Sequence, residues 1–507
     1  MLYLLLSLIL TPAPQTANAA GSALEHAKEL YQSGLYFQAA RYAFSSTEEG
    51  AAPADAYAWI TLSLTRAGMP QAASYFFIRT LQTGNKPAIR SVLSQTQSLM
   101  RVVGADLLRK YLIQHTKYED YDELNRSAYL YALAKYALLQ SDEKNAIGYL
   151  KAVSSSSPLQ PYSYELLGVA QAISGQLESA LFSFQNCIDT ASRVGSQSSS
   201  QISKDWLNLE KSQAEDLKSR CQAGIGRTLY QGGRFEEADR AYDRIPKESM
   251  VWTDILFEQA WNSFARAEYN RTLGKLVTYK SPALSFVFNT EVDVLRAQTY
   301  LNLCLYNDAN EVINEFNKKY AGVGEQIKQF VEKNANSLEV FYEEGKKTAQ
   351  SSVYSRQDFY RLMNRFIRSP YFMTLVTSER AIQNEQRFLS QFESGGGGEG
   401  FPGFIRQVLQ SRLRMNQLLG GAFVKNSLMD YHQVLIADFE KMSFIKLELL
   451  SRAKSKLLAD NKTEERGRGQ RVPHRRDDQY HWGFNGEFWN DELGDYVFGL
   501  ESACQGT

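Results

Sequence analysis

The residues that could do chemistry are few, and their spacing does not suit it. His474 and His481 stand seven apart with Asp477 and Asp478 between them, and together they could offer nitrogen and oxygen ligands to a metal ion. That spacing is neither the i, i+4 pair of one helix face nor the close pair of a metal loop. His26, His115 and His432 are scattered. Glu487, Asp491 and Glu492 could supply the two carboxyls of a glycosidase. That reaction needs a folded cleft that separates the two carboxyls and perturbs one of them, and a short tail offers none. Gly395–Gly400 lacks the following Lys-Ser/Thr and the preceding strand of a phosphate cradle, so it reads as a hinge. No nucleophile elbow or His-Glu-x-x-His pair occurs. The sequence thus predicts no catalytic residue, no metal ligand and no cofactor, and the chain is expected not to be an enzyme.

The elements that carry these residues follow a period. Ala39 and Ala73 are 34 residues apart, as are Ala146 and Ala180, and Ala238 and Thr272. Small residues recur where two helices must approach, and large ones fill the gaps between successive pairs. The period and pattern resemble the tetratricopeptide repeat (TPR), a helix-turn-helix unit that stacks into a solenoid. Residues 22–320 are therefore expected to form an all-α TPR solenoid of about seven to eight repeats. Its packing positions are Ala39, Gly68, Ala73, Ala146, Gly168, Ala180, Phe184, Gly226, Gly233, Ala238, Tyr242, Ala297 and Ala309. Residues 88–125 keep helical apolar spacing without the period and read as a degenerate pair of helices. A Ser-rich insertion at 192–213 reads as a polar loop on one face.

From about Gly322 the period is lost but helix continues, giving a long helical region at 321–460 with a glycine hinge at 395–400. Leu428, Leu435, Met442 and Leu449 are each seven apart, with Tyr431, Phe439, Ile445 and Ala453 interleaved. This heptad, coiled-coil-like seam either pairs with an earlier helix of the same chain or zips to a second chain. Gly420-Gly421 is expected to kink it. Residues 461–478 form a polar linker of mixed charge. Residues 479–507 form an aromatic box with Trp482, Phe484, Glu487, Trp489, Glu492 and Tyr496. Aromatic side chains need a surface to bury against, so the box is expected either to dock a partner or to cap the end of the solenoid.

Composition narrows the rest. The 507 residues carry 56 basic and 56 acidic side chains, so nothing global points to nucleic acid or an anionic membrane surface. No run of 18 apolar residues exists, so no integral membrane segment is expected. Residues 1–19 look like a secretory signal: an apolar core from Met1 to Leu10, then Pro12, Pro14 and Ala17-Asn18-Ala19, with cleavage near Ala19. No basic residue precedes Lys28, so the signal is atypical. Export from a cell with two membranes would place the mature chain in the periplasm. Cys187 closes the second helix of one repeat and Cys221 opens the first helix of the next. Neighbouring helices of a TPR stack could bridge the two or bury them as thiols. Cys304 and Cys504 show no evident partner.

The box spells Trp482-x-Phe484-x-Gly486-Glu487-x-Trp489-x-Asp491-Glu492-Leu493-Gly494-x-Tyr496. This resembles the ending of a group of exported TPR proteins of delta-proteobacteria, although Gly483 stands where that group often has proline. The stretches Glu258-Gln259-Ala260-Trp261 and Leu303–Ala309 are similar as well, and the resemblance covers the chain from about Gln201 onward. Some members of the group belong to the envelope machinery of adventurous gliding motility. The resemblance implies a periplasmic scaffold that binds envelope proteins on the concave TPR face or at the box. Two rivals stand beside it. One is a regulatory subunit of a cell-wall (peptidoglycan) enzyme. The other is a homo-oligomer held through the 428–453 seam.

Overall fold

The computed structural model describes residues 15–48, 52–123, 125–196, 204–249, 251–351, 357–392, 400–459 and 486–504. Among them the chain is all-helical, without a β-strand. The helices run in order as α1 (Gln15–Gln32), α2 (Tyr36–Glu48), α3 (Pro53–Arg66), α4 (Pro70–Gln82), α5 (Lys86–Leu93), α6 (Thr96–Val103) and α7 (Ala105–His115). Next come α8 (Arg126–Leu139), α9 (Glu143–Lys151), α10 (Gln160–Ile173), α11 (Leu177–Ser196), α12 (Lys204–Gln231), α13 (Phe235–Tyr242) and α14 (Trp252–Ala265). The last are α15 (Tyr269–Val277), α16 (Glu291–Asn302), α17 (Tyr306–Lys333), α18 (Leu338–Gln350), α19 (Asp358–Ile367), α20 (Pro370–Ser390) and α21 (Phe401–Ala459).

Seven interhelical turns among the described residues share one geometry. Two places before the second helix stands a residue with positive φ: Gly34, Gly68, Ser141, Gly175, Gly233, Ala267 or Cys304. The next residue donates its N–H to the carbonyl five places back, at 2.8–3.0 Å, as in Met69 to Leu64 and Gln176 to Gln171. This is the Schellman closure of a helix end, and it needs a left-handed residue, for which glycine has no steric cost. Ser141, Ala267 and Cys304 hold the same conformation at φ of +54° to +57°, at a cost of roughly 1 kcal/mol each. Five residues after each of these turn residues comes Ala39, Ala73, Ala146, Ala180, Ala238, Thr272 or Ala309, every one fully buried. Turn and small residue therefore recur together, 34 residues apart within the pairs 34/68, 141/175 and 233/267.

Two compact units divide the chain. The first comprises residues 1–157 and 374–416. In it α1 to α4 pack each on the next, followed by α6 on α7, α7 on α8 and α8 on α9. Phe388, Phe392, Phe401 and Phe404 close over Phe37, Phe44 and Phe76. The Glu385 carboxylate accepts the backbone N–H groups of Gln71 and Ala72 at 2.7 and 2.9 Å, so it satisfies free donors in the first turn of α4. Burial pushes this carboxyl up to about 8, against the downward pull of those two donors and of Arg412. Burial in turn lowers the Arg412 guanidinium to about 10, against the pull of Glu385.

The second unit comprises residues 158–373 and 417–507, with α10 to α17 packing each on the next. The ring of Phe184 lies where a Cβ on Gly168 or Gly224 would be, within 2.7 and 2.6 Å. Tyr242 fills the space beside Gly226 in the same way. Arg227 on α12 grips Glu258 on α14 with both Nε and Nη2, at 2.9 and 2.7 Å.

Leu428, Leu435, Met442 and Leu449 are buried within the chain. Their helix packs through Phe439 on Phe316, Tyr431 on Phe366 and Val424 against Gly345. Asp438, fully buried, accepts a hydrogen bond from Thr290 at 2.5 Å.

Several expectations change. Residues 88–125 hold three short α-helices rather than two, because Gly104 at φ +93° ends α6 and begins α7. The Ser-rich stretch is not simply a loop: Ser192–Ser196 extend α11 and Lys204 already belongs to α12. Gly420-Gly421 does not interrupt α21; it is where Tyr342 and the Leu338 carbonyl press against that helix. Gly68 and Gly233 are turn residues rather than packing positions, with nothing within 4 Å of where a Cβ would stand. The compact units also divide elsewhere than at residue 320, since helices of the 321–460 region contribute to both. Signal residues 1–14, hinge residues 395–399 and the 461–478 linker lie outside the described residues.

Candidate functional site

Among the described residues no group of three or more His, Cys, Asp and Glu side chains could hold a metal. His474, Asp477, Asp478 and His481 lie outside them, as do Trp482 and Phe484 of the box. Among the described residues no helix is long and apolar enough to cross a membrane. One small pocket in the second unit, about 180 Å³, is bordered by Thr290, Glu291, Arg365 and Tyr431. Its charged groups are already engaged: Arg365 stacks over Tyr431 and donates to the Phe288 carbonyl, and Glu291 pairs with Lys441.

The developed interaction surface is the seat of residues 486–504 in the second unit, on α14, α15 and the turn between α16 and α17. Gly494, at φ +89°, sits where a Cβ would lie 3.2 Å from Leu256 and 3.3 Å from Trp252, and its N–H donates to Thr278. Leu493 packs against the core that holds Trp252, Leu256 and Tyr242. The Tyr496 hydroxyl accepts the Trp489 N–H at 2.6 Å and donates to the Trp489 carbonyl at 3.3 Å, which closes residues 489–496 into a loop. Burial raises the Tyr496 phenol above its ordinary value. Lys247 pairs with Asp495 at 2.9 Å on the rim.

Beyond Tyr496 the chain is held by its backbone. The Asn270 carbonyl accepts the Phe498 N–H at 3.0 Å. The Asn270 amide takes both sides of Leu500, accepting its N–H at 2.9 Å and donating to its carbonyl at 3.0 Å. The Leu303 carbonyl accepts the Ala503 N–H at 2.9 Å. Gly274, inside α15, lies directly under the Tyr496 carbonyl, where a Cβ would overlap it. Cys504 then bonds to Cys304, the left-handed residue of the last such turn.

The candidate residues thus separate. Tyr496 is buried in the seat and Glu492 is half-buried, while Glu487 is exposed and Trp489 is 52% exposed. Cys187 and Cys221 are bridged between α11 and α12, with Cα atoms 6.3 Å apart, and both are fully buried. Sequence reasoning missed Asn270, Gly274, Leu303 and the Cys304–Cys504 pairing. One signal was available: a glycine in mid-helix costs about 1 kcal/mol relative to alanine and so often marks a close approach. No protein-family model matches the chain, and no curated protein matches it.

Proposed function

We propose that this chain is a non-enzymatic TPR scaffold of the periplasm that holds proteins of a cell-envelope assembly, of which gliding machinery is one candidate. The observation that carries the reading is the seven turns of one geometry, each followed by a fully buried small residue. Repeating one helix-turn-helix unit yields a long surface for partners and needs no catalytic constellation. Two disulfides fit an oxidising compartment, since thiols persist in the cytosol and bridge outside it. The 428–449 seam is already occupied within the chain, which gives little support to a homo-oligomer zipped through it.

Crosslinking capture from native envelopes tests this, comparing the full chain with one ending at Asn461. Specific envelope proteins recovered with both forms support a solenoid partner surface. Recovery lost on truncation assigns the contact to the box. Recovery with neither form sinks the scaffold reading.

A further inference from the structure

The seat of the carboxy-terminal strand has the chemistry of a peptide site. Asn270 grips main chain from both sides of one residue, and the Asn270 and Leu303 carbonyls accept two further backbone N–H groups. Gly274 clears the helix surface so that a backbone can lie against it. Side-chain identity matters chiefly at Gly494, pressed on Trp252 and Leu256, and at buried Tyr496. Main-chain hydrogen bonds for affinity with a few side-chain pockets for choice is how grooves take extended peptides from other chains. The occupant here arrives from far away in sequence, beginning 27 residues beyond the end of α21 and ending 200 residues beyond its disulfide partner.

We propose that the ledge formed by α14, α15 and the Cys304 turn is a binding site for an extended peptide strand of a partner protein. The strand it takes carries a Gly-x-Tyr step followed by apolar residues, and the chain's own strand is the resident occupant, locked by Cys304–Cys504. This rests on the scaffold reading and names one of its sites and the class of ligand. A dithiol opens the lock. Its thiolate attacks one protein sulfur to form a mixed disulfide, and its second thiolate then closes the dithiol's own disulfide. Two protons pass from the dithiol to leave Cys304 and Cys504 as thiols.

The test uses the full chain carrying Gly494→Trp and Cys504→Ser. A side chain at 494 meets Trp252 and Leu256 in a left-handed conformation, so the resident strand is unseated while Cys304 stays as a thiol. The probe is a synthetic peptide of residues 490–504 whose Cys504 carries a thiopyridyl disulfide. The Cys304 thiolate attacks the Cys504 sulfur, the peptide–protein disulfide forms, and thiopyridone leaves and is read by absorbance. The native peptide is expected to react about tenfold or more faster than one with residues 490–503 scrambled. Adding Gly274→Leu is expected to erase the difference. Equal rates for native and scrambled peptides overturn the proposal. Should circular dichroism show the double variant unfolded, the same ratio is read on the full chain carrying the milder Gly494→Ala with Cys504→Ser, which still sets a Cβ against Leu256 and Trp252, and parity there again overturns it. The assay contains no envelope protein, so its failure leaves the scaffold reading standing, and failed envelope capture leaves its result standing.

Discussion

Cys304 is joined to Cys504 across 200 residues of sequence, and of the seven turns it is the one whose left-handed residue is a cysteine. The bond ties the chain's last described residues to a helix-turn-helix junction. Its loss should free the strand locally rather than unfold the stack. In Cys504→Ser, hydrogen exchange at the amides of Phe498, Leu500 and Ala503 is expected to accelerate by more than tenfold while α11 and α12 keep their protection. Unchanged exchange at those three amides would show that the backbone contacts alone hold the strand.

Gly274 gives a prediction of sign. In an isolated helix Gly→Ala stabilises by about 1 kcal/mol. Here the added Cβ meets the Tyr496 carbonyl, so Gly274→Ala should destabilise the intact protein. In a background where Gly494→Trp has already unseated the strand, the same change should stabilise by up to about 1 kcal/mol. Denaturant melts of the four proteins in this cycle check the reversal. Additive effects would refute it.

Phe184 is the aromatic residue that Gly168 and Gly224 make room for. Phe184→Ala is expected to cost about 3–5 kcal/mol, measured by chemical denaturation, because it removes a buried ring from between two glycines that have no side chains to fill the cavity. Gly168→Ala meets the same ring from the other side and is expected to cost about 1–3 kcal/mol. A loss below 1 kcal/mol for Phe184→Ala would mean that the ring does not fill that gap.

Glu385 predicts a pH dependence in the first unit. Its folded value, about 8, lies above the ordinary carboxyl value of 4.5, so the fold favours the neutral form. The stabilisation from this group is fully present below about pH 4.5 and is lost as pH rises through about 8. Across that window the slope approaches about −1.4 kcal/mol per pH unit. Glu385→Gln keeps an acceptor for the Gln71 and Ala72 N–H groups but does not titrate. The wild type should therefore lose stability relative to Glu385→Gln between pH 5 and 8. Parallel stability curves would show that the carboxylate is ionised in the fold throughout.

The periodic part of this architecture was legible because repetition multiplies a weak local signal. One buried alanine says little, but Ala39, Ala73, Ala146 and Ala180 at fixed intervals after a turn say where helices must touch. The long helix to Ala459 was readable from its heptads, since Leu428 to Leu449 share a face whichever partner covers them. Glycines were ambiguous, because one residue type serves two needs: Gly168 and Gly226 admit an aromatic ring, whereas Gly68 and Gly233 supply a left-handed turn. The seat of the box was not legible. The Asn270 side-chain amide binds the main chain of Leu500, 230 residues away, and recognition of backbone leaves almost no pattern in the side chains of the segment that is bound. Cys304 was hidden by its role in the turn, where the other repeats have glycine, serine or alanine.

Disulfide mapping of the full chain, purified from cells under alkylation and without reductant, tests the central claim most directly. One experiment reports on the compartment, on the stacking of α11 against α12 and on the seat of the carboxy-terminal strand. The account predicts two linked peptide pairs, Cys187 with Cys221 and Cys304 with Cys504, and no alkylated cysteine. Four alkylated thiols, or Cys504 joined to either of the other two cysteines, would contradict it.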